Sequence, residues 1–289
     1  MALRHDPAYA QIVPMRIFIS ADIEGIAGVV SREHQFPEGI EWQSARIWMT
    51  DSVAAAADAA FEAGATEVVV ADSHGQGHNL LLDRLRPEIQ VVRSHPRPLS
   101  MMQGVEAGPS EGCFFIGYHA GATNPNGILA HTFRSATLRD VRLNGISVPE
   151  ATINAAIAGA YGVPVLLVTG DDVCVGETTA ILPRIEGVTV KWAHSRRSAR
   201  TLTPAASYPL IADGARRALA RRAEVAPFTI PGPISLEVSF LYRQPVEYIL
   251  MLDGIERVDA FTIRVVHEDI VAVQRFMVFL LGYSATLQW

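Results

Sequence analysis

The sequence has little cysteine, little net charge and no long hydrophobic run, and each shortage excludes a class of protein. Two cysteines among 289 residues are too few for a disulfide-stapled secreted domain, so we expect Cys113 and Cys174 to be buried thiols. The net charge is −6 and the basic residues are scattered, which argues against nucleic-acid binding. No segment reaches the roughly 18 uninterrupted apolar residues of a membrane span.

The motifs of two large enzyme classes are also missing. We find no glycine-rich phosphate loop and no nucleophile elbow, which argues against nucleotide binding and serine-hydrolase chemistry. The N-terminus lacks an apolar stretch of signal-peptide length, so we expect a cytoplasmic protein. Hydrophobic residues make up 49% of the chain and charged residues 19%, which is the composition of a globular protein with a sizeable core.

Short apolar runs alternate with helical stretches in the first two thirds of the chain. This alternation predicts an α/β fold with a mostly parallel sheet flanked by helices. The predicted strands are Arg16–Ala21, Glu67–Ala71, Ile89–Val92, Cys113–Gly117 and Val163–Thr169, and the first predicted helix is Trp42–Ala63.

One segment departs from this alternation. Asn144-Gly145 is a strong signal for a two-residue β-hairpin turn, so we expect an inserted hairpin between His131 and Glu150. Pro149 suits the first turn of a helix that would continue to Gly162.

We expect three parts along the chain. Residues 1–14 form an N-terminal extension, residues 15–190 a catalytic α/β metal-binding domain, and residues 191–289 a smaller C-terminal α+β portion. The predicted elements of the last part are a helix over Pro204–Arg222, strands over Ile234–Phe240 and Ala260–Val266, and a final helix over Asp269–Gly282.

Ionisable residues collect where predicted strands end, which is where open α/β sheets bind ligands. Asp22 and Glu24 follow the first strand two positions apart, so an extended backbone turns both carboxylates to one side. His74 follows the second strand, His119 follows the strand that begins at residue 113, and Glu150 arrives from the predicted hairpin. These five residues are therefore candidates for one site.

Two histidines and three carboxylates suit zinc, or manganese or cobalt. Five ligands exceed what one catalytic zinc takes, and two metals about 3.5–4 Å apart would use them economically. Each motif also has a purely structural interpretation. The carboxylates could lie in a capped turn, Asp72 and Ser73 could cap a helix, and His119 could be a packing residue.

Several other residues are candidates with two open interpretations. His131 could act as a general base or proton carrier near the metals, or be a histidine bonded to backbone, and the residues favour neither. Gly170–Asp172 could touch the cleft, but we prefer a strand-to-helix turn capped by aspartate. Arg196, Arg197 and Arg200 could bind a substrate carboxylate or lie in a solvated loop or subunit contact.

Taken together, the motifs resemble those of the DppA-type D-aminopeptidases, over most of the chain from Met15 to about residue 207. The segments that carry the resemblance stand in family order and are ISADIEGIAGV (19–29), VVVADSHG (68–75), FIGYHA (115–120), GILAHTF (127–133), LNGISVPEATINA (143–155), PVLLVTGDD (164–172) and HSRRSARTLTPAAS (194–207). The loop between His119 and His131 is one residue longer than in the best-known type, and Pro149 replaces a small residue.

The resemblance implies a zinc metallopeptidase that removes N-terminal D-amino acids, typically D-alanine, from short peptides. It implies two zinc ions per subunit and a cytoplasmic homo-oligomeric ring, a decamer of two pentamers. The ligands would be Asp22, Glu24, His74, His119 and Glu150, with His131 as the catalytic residue. Two alternatives remain: another metal-dependent amidohydrolase on this scaffold, or a non-catalytic small-molecule binding protein.

Overall fold

Two β-sheets organise residues 15–284, the part of the chain that the computed structural model describes. The larger sheet has the strand order β3–β2–β1–β4–β7–β8–β9, in which only β9 pairs antiparallel with its neighbour. Its strands are β1 (Arg16–Ala21), β2 (Glu67–Asp72), β3 (Ile89–Val92), β4 (Gly112–Tyr118), β7 (Val165–Asp171), β8 (Glu186–Ser195) and β9 (Ser198–Thr201). The mostly parallel sheet is confirmed, and the expected extension over residues 1–14 lies outside the described residues.

Helices cover both faces of this sheet, which explains why β1, β4 and β7 are buried along their whole length. One face packs against α1 and α4, and the other against α2, with α6 and the second sheet beyond it. The helices are α1 (Trp42–Glu62), α2 (Glu150–Ala160), α3 (Asp172–Ile181), α4 (Pro204–Ala220), α5 (Gln244–Ile249) and α6 (Ile270–Ser284).

The second sheet is antiparallel and has the strand order β11–β12–β10–β5–β6. Its strands are β5 (Leu138–Leu143), β6 (Ile146–Ser147), β10 (Ile234–Phe240), β11 (Glu256–Arg257) and β12 (Thr262–His267). The predicted hairpin is β5–β6. Asn144 and Gly145 form its turn with φ of 50° and 81°, as a type I′ turn requires.

The expected division near residue 190 stays a prediction. That position lies inside β8, and the second sheet takes strands from both sides of it. Arg196 and Arg197 form the turn of the β8–β9 hairpin, and the guanidinium of Arg200 in β9 stacks over Trp192 at 4.3 Å.

Smaller expectations are confirmed. The side chain of Asp171 caps α3 by accepting hydrogen bonds from the backbone N–H groups of Val173 and Cys174. Cys113 and Cys174 are free and buried. Among the described residues, none of the helices combines the length and the hydropathy needed to cross a membrane.

Candidate metal centre

The fold brings all six predicted site residues together at the carboxyl edge of the larger sheet. Asp22 and Glu24 follow β1, His74 follows β2 and His119 follows β4, and these three strands are neighbours in the order β2–β1–β4. Glu150 is the first residue of α2 and lies 3.4 Å from His119, measured from Oε1 to Nε2. The sixth residue, His131, lies between β4 and β5 and reaches the same carboxylates. All but His131 are buried.

Each of the three histidines uses one ring nitrogen to donate a hydrogen bond to a backbone carbonyl. His74 donates from Nε2 to Gln35 at 2.8 Å, His119 from Nδ1 to Ala120 at 3.0 Å, and His131 from Nδ1 to Leu129 at 2.8 Å. A carbonyl oxygen can only accept, so the hydrogen of a neutral ring is on that nitrogen.

The other ring nitrogen of each histidine faces carboxylate oxygens. His74 Nδ1 lies 2.9 Å from Glu24 Oε2, which is buried and has no hydrogen-bond partner among the described residues. An imidazole lone pair and a carboxylate repel each other unless a proton or a metal lies between them. Backbone-anchored histidines are also the usual support of a metal site. The residues therefore fit a metal such as zinc.

Asp22 lies between the two halves of the site. Its Oδ1 is 3.3 Å from His74 Nδ1 and its Oδ2 is 3.5 Å from His119 Nε2. The two oxygens of this one carboxylate therefore face two different histidines. Asp22 thereby connects the two halves of the site.

The ligand atoms form two groups, each within 4.8 Å. One contains Asp22, Glu24 and His74, and the other contains His119, Glu150 and His131. His131 Nε2 lies 3.9 Å from Glu24 Oε1 and 4.0 Å from Glu150 Oε1. The structure thus places His131 in the site, where its geometry suits a ligand as well as a proton carrier.

Without metal, protons on the histidines compensate the three buried carboxylates. Burial opposes the charged ring, but Glu150, Asp22 and Glu24 together outweigh it and raise the pKa of His119 to about 10. Burial together with the neighbouring Glu24 raises the pKa of Asp22 to about 7. Burial and the adjacent His119 lower the pKa of His131, so His131 is the neutral ring of the cluster.

Gln35 supports the site and was missed from the sequence. Its side-chain amide donates to Glu24 Oε1 at 2.6 Å, while its backbone carbonyl accepts from His74. Gln35 therefore orients one carboxylate and one histidine of the site. It lies in irregular chain between a short 3₁₀ helix and α1, where no periodicity marks it.

Lys191 was also missed, although a signal for it exists. It is the only lysine of the chain, and it stands in the middle of β8 with no exposed surface. Its ammonium donates to the backbone carbonyls of Glu24, Ile26 (3.1 Å) and Val29 (2.6 Å). Burial lowers its pKa to about 8. Lys191 thereby supports the loop that carries Glu24.

A buried polar network lies directly behind the site. The hydroxyl of Tyr118 donates to Ser20 Oγ at 2.7 Å and accepts from Asn154 Nδ2 at 2.9 Å, and Ser20 Oγ lies 3.0 Å from Ser73 Oγ. Tyr118 and Ser73 precede site histidines, Ser20 is two positions before Asp22, and Asn154 is in α2. The network therefore ties together the elements that carry the site.

The structure decides one of the structural alternatives. No helix follows Asp72 directly, so the capping interpretation is wrong; its carboxylate accepts from the backbone N–H groups of Asn79 and Leu80. Arg196 approaches the site through its backbone, because its carbonyl accepts from Leu129 N at 2.8 Å.

Paired carboxylate–histidine groups at the carboxyl edge of a parallel sheet define the class: an α/β metal-dependent hydrolase. Comparison with known proteins gives the family. The family model described as D-aminopeptidase matches residues 15–279. The chain belongs to the D-aminopeptidase family of peptidases.

A sequence match and a structural match, both from Bacillus subtilis, agree with this assignment. The D-aminopeptidase of strain 168 is 32% identical over 242 residues, which cover 84% of this chain and 87% of that protein. A solved structure, described as the Zn-dependent D-aminopeptidase DppA, a self-compartmentalizing protease, matches with a TM-score of 0.88 at 30% identity. The match covers 93% of this chain and 97% of that one.

Proposed function

We propose that the protein is a zinc aminopeptidase that removes an N-terminal D-amino acid of the D-alanine type from short peptides. Two zinc ions per subunit are held by Asp22, Glu24, His74, His119 and Glu150. The observation that carries this proposal is the position of Asp22, whose two carboxylate oxygens face His74 and His119 separately. The Zn-dependent relative supports the choice of metal.

When bound, the zinc pair supplies an activated water molecule and polarises the carbonyl of the scissile peptide bond. The protein's own residues prepare the site for this chemistry. Gln35 fixes the orientations of Glu24 and His74 through two hydrogen bonds. Lys191 holds the backbone of the loop that carries Glu24, so the carboxylates keep their positions when the metals and the substrate exchange.

His131 is the proton carrier in this proposal. Its Nδ1 is occupied by the carbonyl of Leu129, which leaves Nε2 free on the side of Glu24 and Glu150. Because burial and His119 lower its pKa, the ring is neutral and Nε2 can accept a proton. That proton is then donated to the leaving amine, so water adds across the peptide bond.

We further propose a cytoplasmic homo-oligomeric ring, a decamer of two pentamers. The relative described as self-compartmentalizing supports an assembly. Large apolar side chains near α5 and β12 are exposed, among them Met251 (77%) and Tyr242 (62%), which is consistent with a covered surface in an oligomer.

The decisive experiment compares hydrolysis of D-Ala-D-Ala with that of L-Ala-L-Ala by zinc-loaded protein, with a chelated sample as the control. We expect cleavage of the D-peptide alone, abolished by the chelator and restored by zinc. If protein that demonstrably carries zinc cleaves neither peptide, the specificity is wrong and another amide substrate has to be sought. Chelator-resistant cleavage would contradict the metal mechanism itself.

A further inference from the structure

The two residues placed symmetrically around His131 both have a left-handed backbone. Leu129 has a φ of 52° and Phe133 has a φ of 61°. A non-glycine residue rarely adopts a positive φ, and where such residues occur they concentrate at functional sites. Two of them within five residues require a structural reason, and their hydrogen bonds provide one.

Leu129 is held through both of its peptide groups. Its N–H donates to the carbonyl of Arg196 at 2.8 Å, at the turn between β8 and β9. Its own carbonyl accepts from His131 Nδ1 at 2.8 Å. The left-handed conformation of Leu129 therefore aims the carbonyl that sets which nitrogen of His131 faces the carboxylates.

Phe133 positions Glu150 through a backbone hydrogen bond. Its backbone N–H donates to Glu150 Oε1 at 2.5 Å. The same oxygen lies 3.4 Å from His119 Nε2 and 4.0 Å from His131 Nε2. The N–H of Phe133 thus holds the carboxylate oxygen that both histidines share.

The side chains of these two residues anchor the segment in opposite cores. Leu129 is buried with residues of α1 and α4 on one face of the larger sheet. Phe133 packs against the core on the other side, which contains α2 and the second sheet. Between them, the N–H of His131 donates to the carbonyl of Ala120 at 3.2 Å. Side-chain burial explains why leucine and phenylalanine, rather than glycine, occupy these strained positions.

We propose that residues 129–133 form a backbone clamp in which Leu129 positions His131 and Phe133 positions Glu150. This inference rests on the proposed roles of those two residues. In this proposal Leu129 and Phe133 are positioning residues. They act by holding a neighbouring side chain in the reactive geometry, in which small displacements lower the rate strongly.

The first arm of the test uses Leu129→Ile and Leu129→Met. Isoleucine keeps the volume of leucine, but its branched Cβ disfavours a positive φ, whereas methionine is unbranched and tolerated. We expect Leu129→Ile to lower kcat at least about tenfold, with KM and zinc content changed less than about twofold. Methionine should rescue most of the turnover.

The second arm uses Phe133→Ile and Phe133→Leu and reads zinc retention. We expect Phe133→Ile to lose zinc at a chelator concentration at least about tenfold lower than the wild-type protein does, because isoleucine disfavours the positive φ that directs the backbone N–H of residue 133 to Glu150. Phe133→Leu should retain zinc better than Phe133→Ile. If Leu129→Ile does not fold, the zinc retention of the two Phe133 variants still tests the clamp.

Two controls separate the clamp from general strain. Asn144→Val places a branched residue at a φ of 50° in the exposed β5–β6 turn, so it should lower the Tm and leave kcat unchanged. In a His131→Ala background, Leu129→Ile should cause no further loss of activity. Wild-type turnover in Leu129→Ile, or equal loss in Leu129→Met, would overturn the inference.

Failure of the proposed function looks different from failure of the clamp. If wild-type protein shows no chelator-sensitive cleavage of D-peptides, the proposed function fails before any variant is made. The zinc-retention arm still tests Phe133 in that case. If the wild-type enzyme works and both isoleucine variants behave as it does, only the clamp is wrong.

Discussion

The imidazole rings of His119 and His131 are stacked, with centroids 4.0 Å apart and planes inclined by 7°. Both rings donate from Nδ1 to a backbone carbonyl, so both Nε2 atoms face Glu150. Yet their electrostatic settings differ. The pKa of His119 is raised to about 10, because Glu150, Asp22 and Glu24 together outweigh the effect of burial, whereas burial and His119 lower the pKa of His131. In the metal-free protein, the pair therefore combines the protonated, positively charged ring of His119 with the neutral ring of His131, which can accept a proton.

His131→Ala tests this division of roles. We expect kcat to fall by about 10²–10⁴-fold, the usual contribution of a general acid or base, while zinc content stays at the wild-type value. Steady-state kinetics and metal analysis of the same sample measure both. His194→Ala, at an exposed histidine of β8, is the matched control and should behave as wild type. Loss of zinc from His131→Ala would make His131 a ligand instead.

Asp22→Asn tests the bridging position. The amide keeps the shape of the side chain but removes the charge shared between His74 and His119. We expect zinc to fall from two ions per chain to one or fewer, with activity lost. Asp51→Asn, which removes a carboxylate paired with Arg84 on the surface of α1, should change neither. Two tightly bound zinc ions in Asp22→Asn would rule out bridging.

Metal removal should make stability depend on pH. In the metal-free protein, His119 and Asp22 have pKa values raised to about 10 and about 7, and the pKa of His74 is also raised. For each group the folded state binds more protons than the unfolded state. The stability contributed by Asp22 is lost as the pH rises through about 7, and that contributed by His119 is lost as the pH rises from 7 towards 10. Zinc replaces those protons and removes this contribution.

The measurement is Tm at several pH values between 7 and 10, with and without chelator. The lowered pKa of Lys191 contributes with the opposite sign. We expect the gap in Tm between the two forms to widen as the pH rises. A constant gap would show that protons do not replace zinc in this site.

Lys191→Met should destabilise the fold and slow the enzyme. Methionine fills the space of the lysine stem but leaves three buried carbonyls without their donor, at a cost of about 3 kcal/mol or more in the free energy of unfolding. Urea denaturation measures the change. Because Lys191 is the only lysine, an amine-reactive reagent should label a lysine side chain only after unfolding. Labelling of the native protein would contradict its burial.

Tyr118→Phe tests the buried polar network. Loss of the hydroxyl removes one hydrogen bond from Ser20 and one from Asn154, so we expect the free energy of unfolding to fall by about 1–3 kcal/mol. Combined with Ser20→Ala, the two effects should be clearly non-additive. The control is Tyr161→Phe, at the exposed end of α2, which should be neutral. Additive losses would mean that the two hydroxyls act independently.

Local features of the chain determined much of this protein in advance. Apolar runs ending in Asp22, His74 and His119 specify both the strands and the edge at which they finish, since buried parallel strands leave a continuous hydrophobic signature. The Asn144-Gly145 turn was readable for the same reason, because only a few residues adopt its dihedral angles. The chemistry of the candidate ligands also follows directly from their residue types.

Only the tertiary structure decided how these parts meet. Lys191 lies 167 positions from Glu24, and Gln35 lies 39 positions from His74, so no local pattern could reveal either contact. The burial of Lys191 could not be read from β8 either, because the lysine stands between Val190 and Trp192 at a polar position of the strand's alternation, and it is buried only because three distant carbonyls accept from it. Which nitrogen of each histidine faces the carboxylates was likewise settled by backbone carbonyls, whose directions depend on packing.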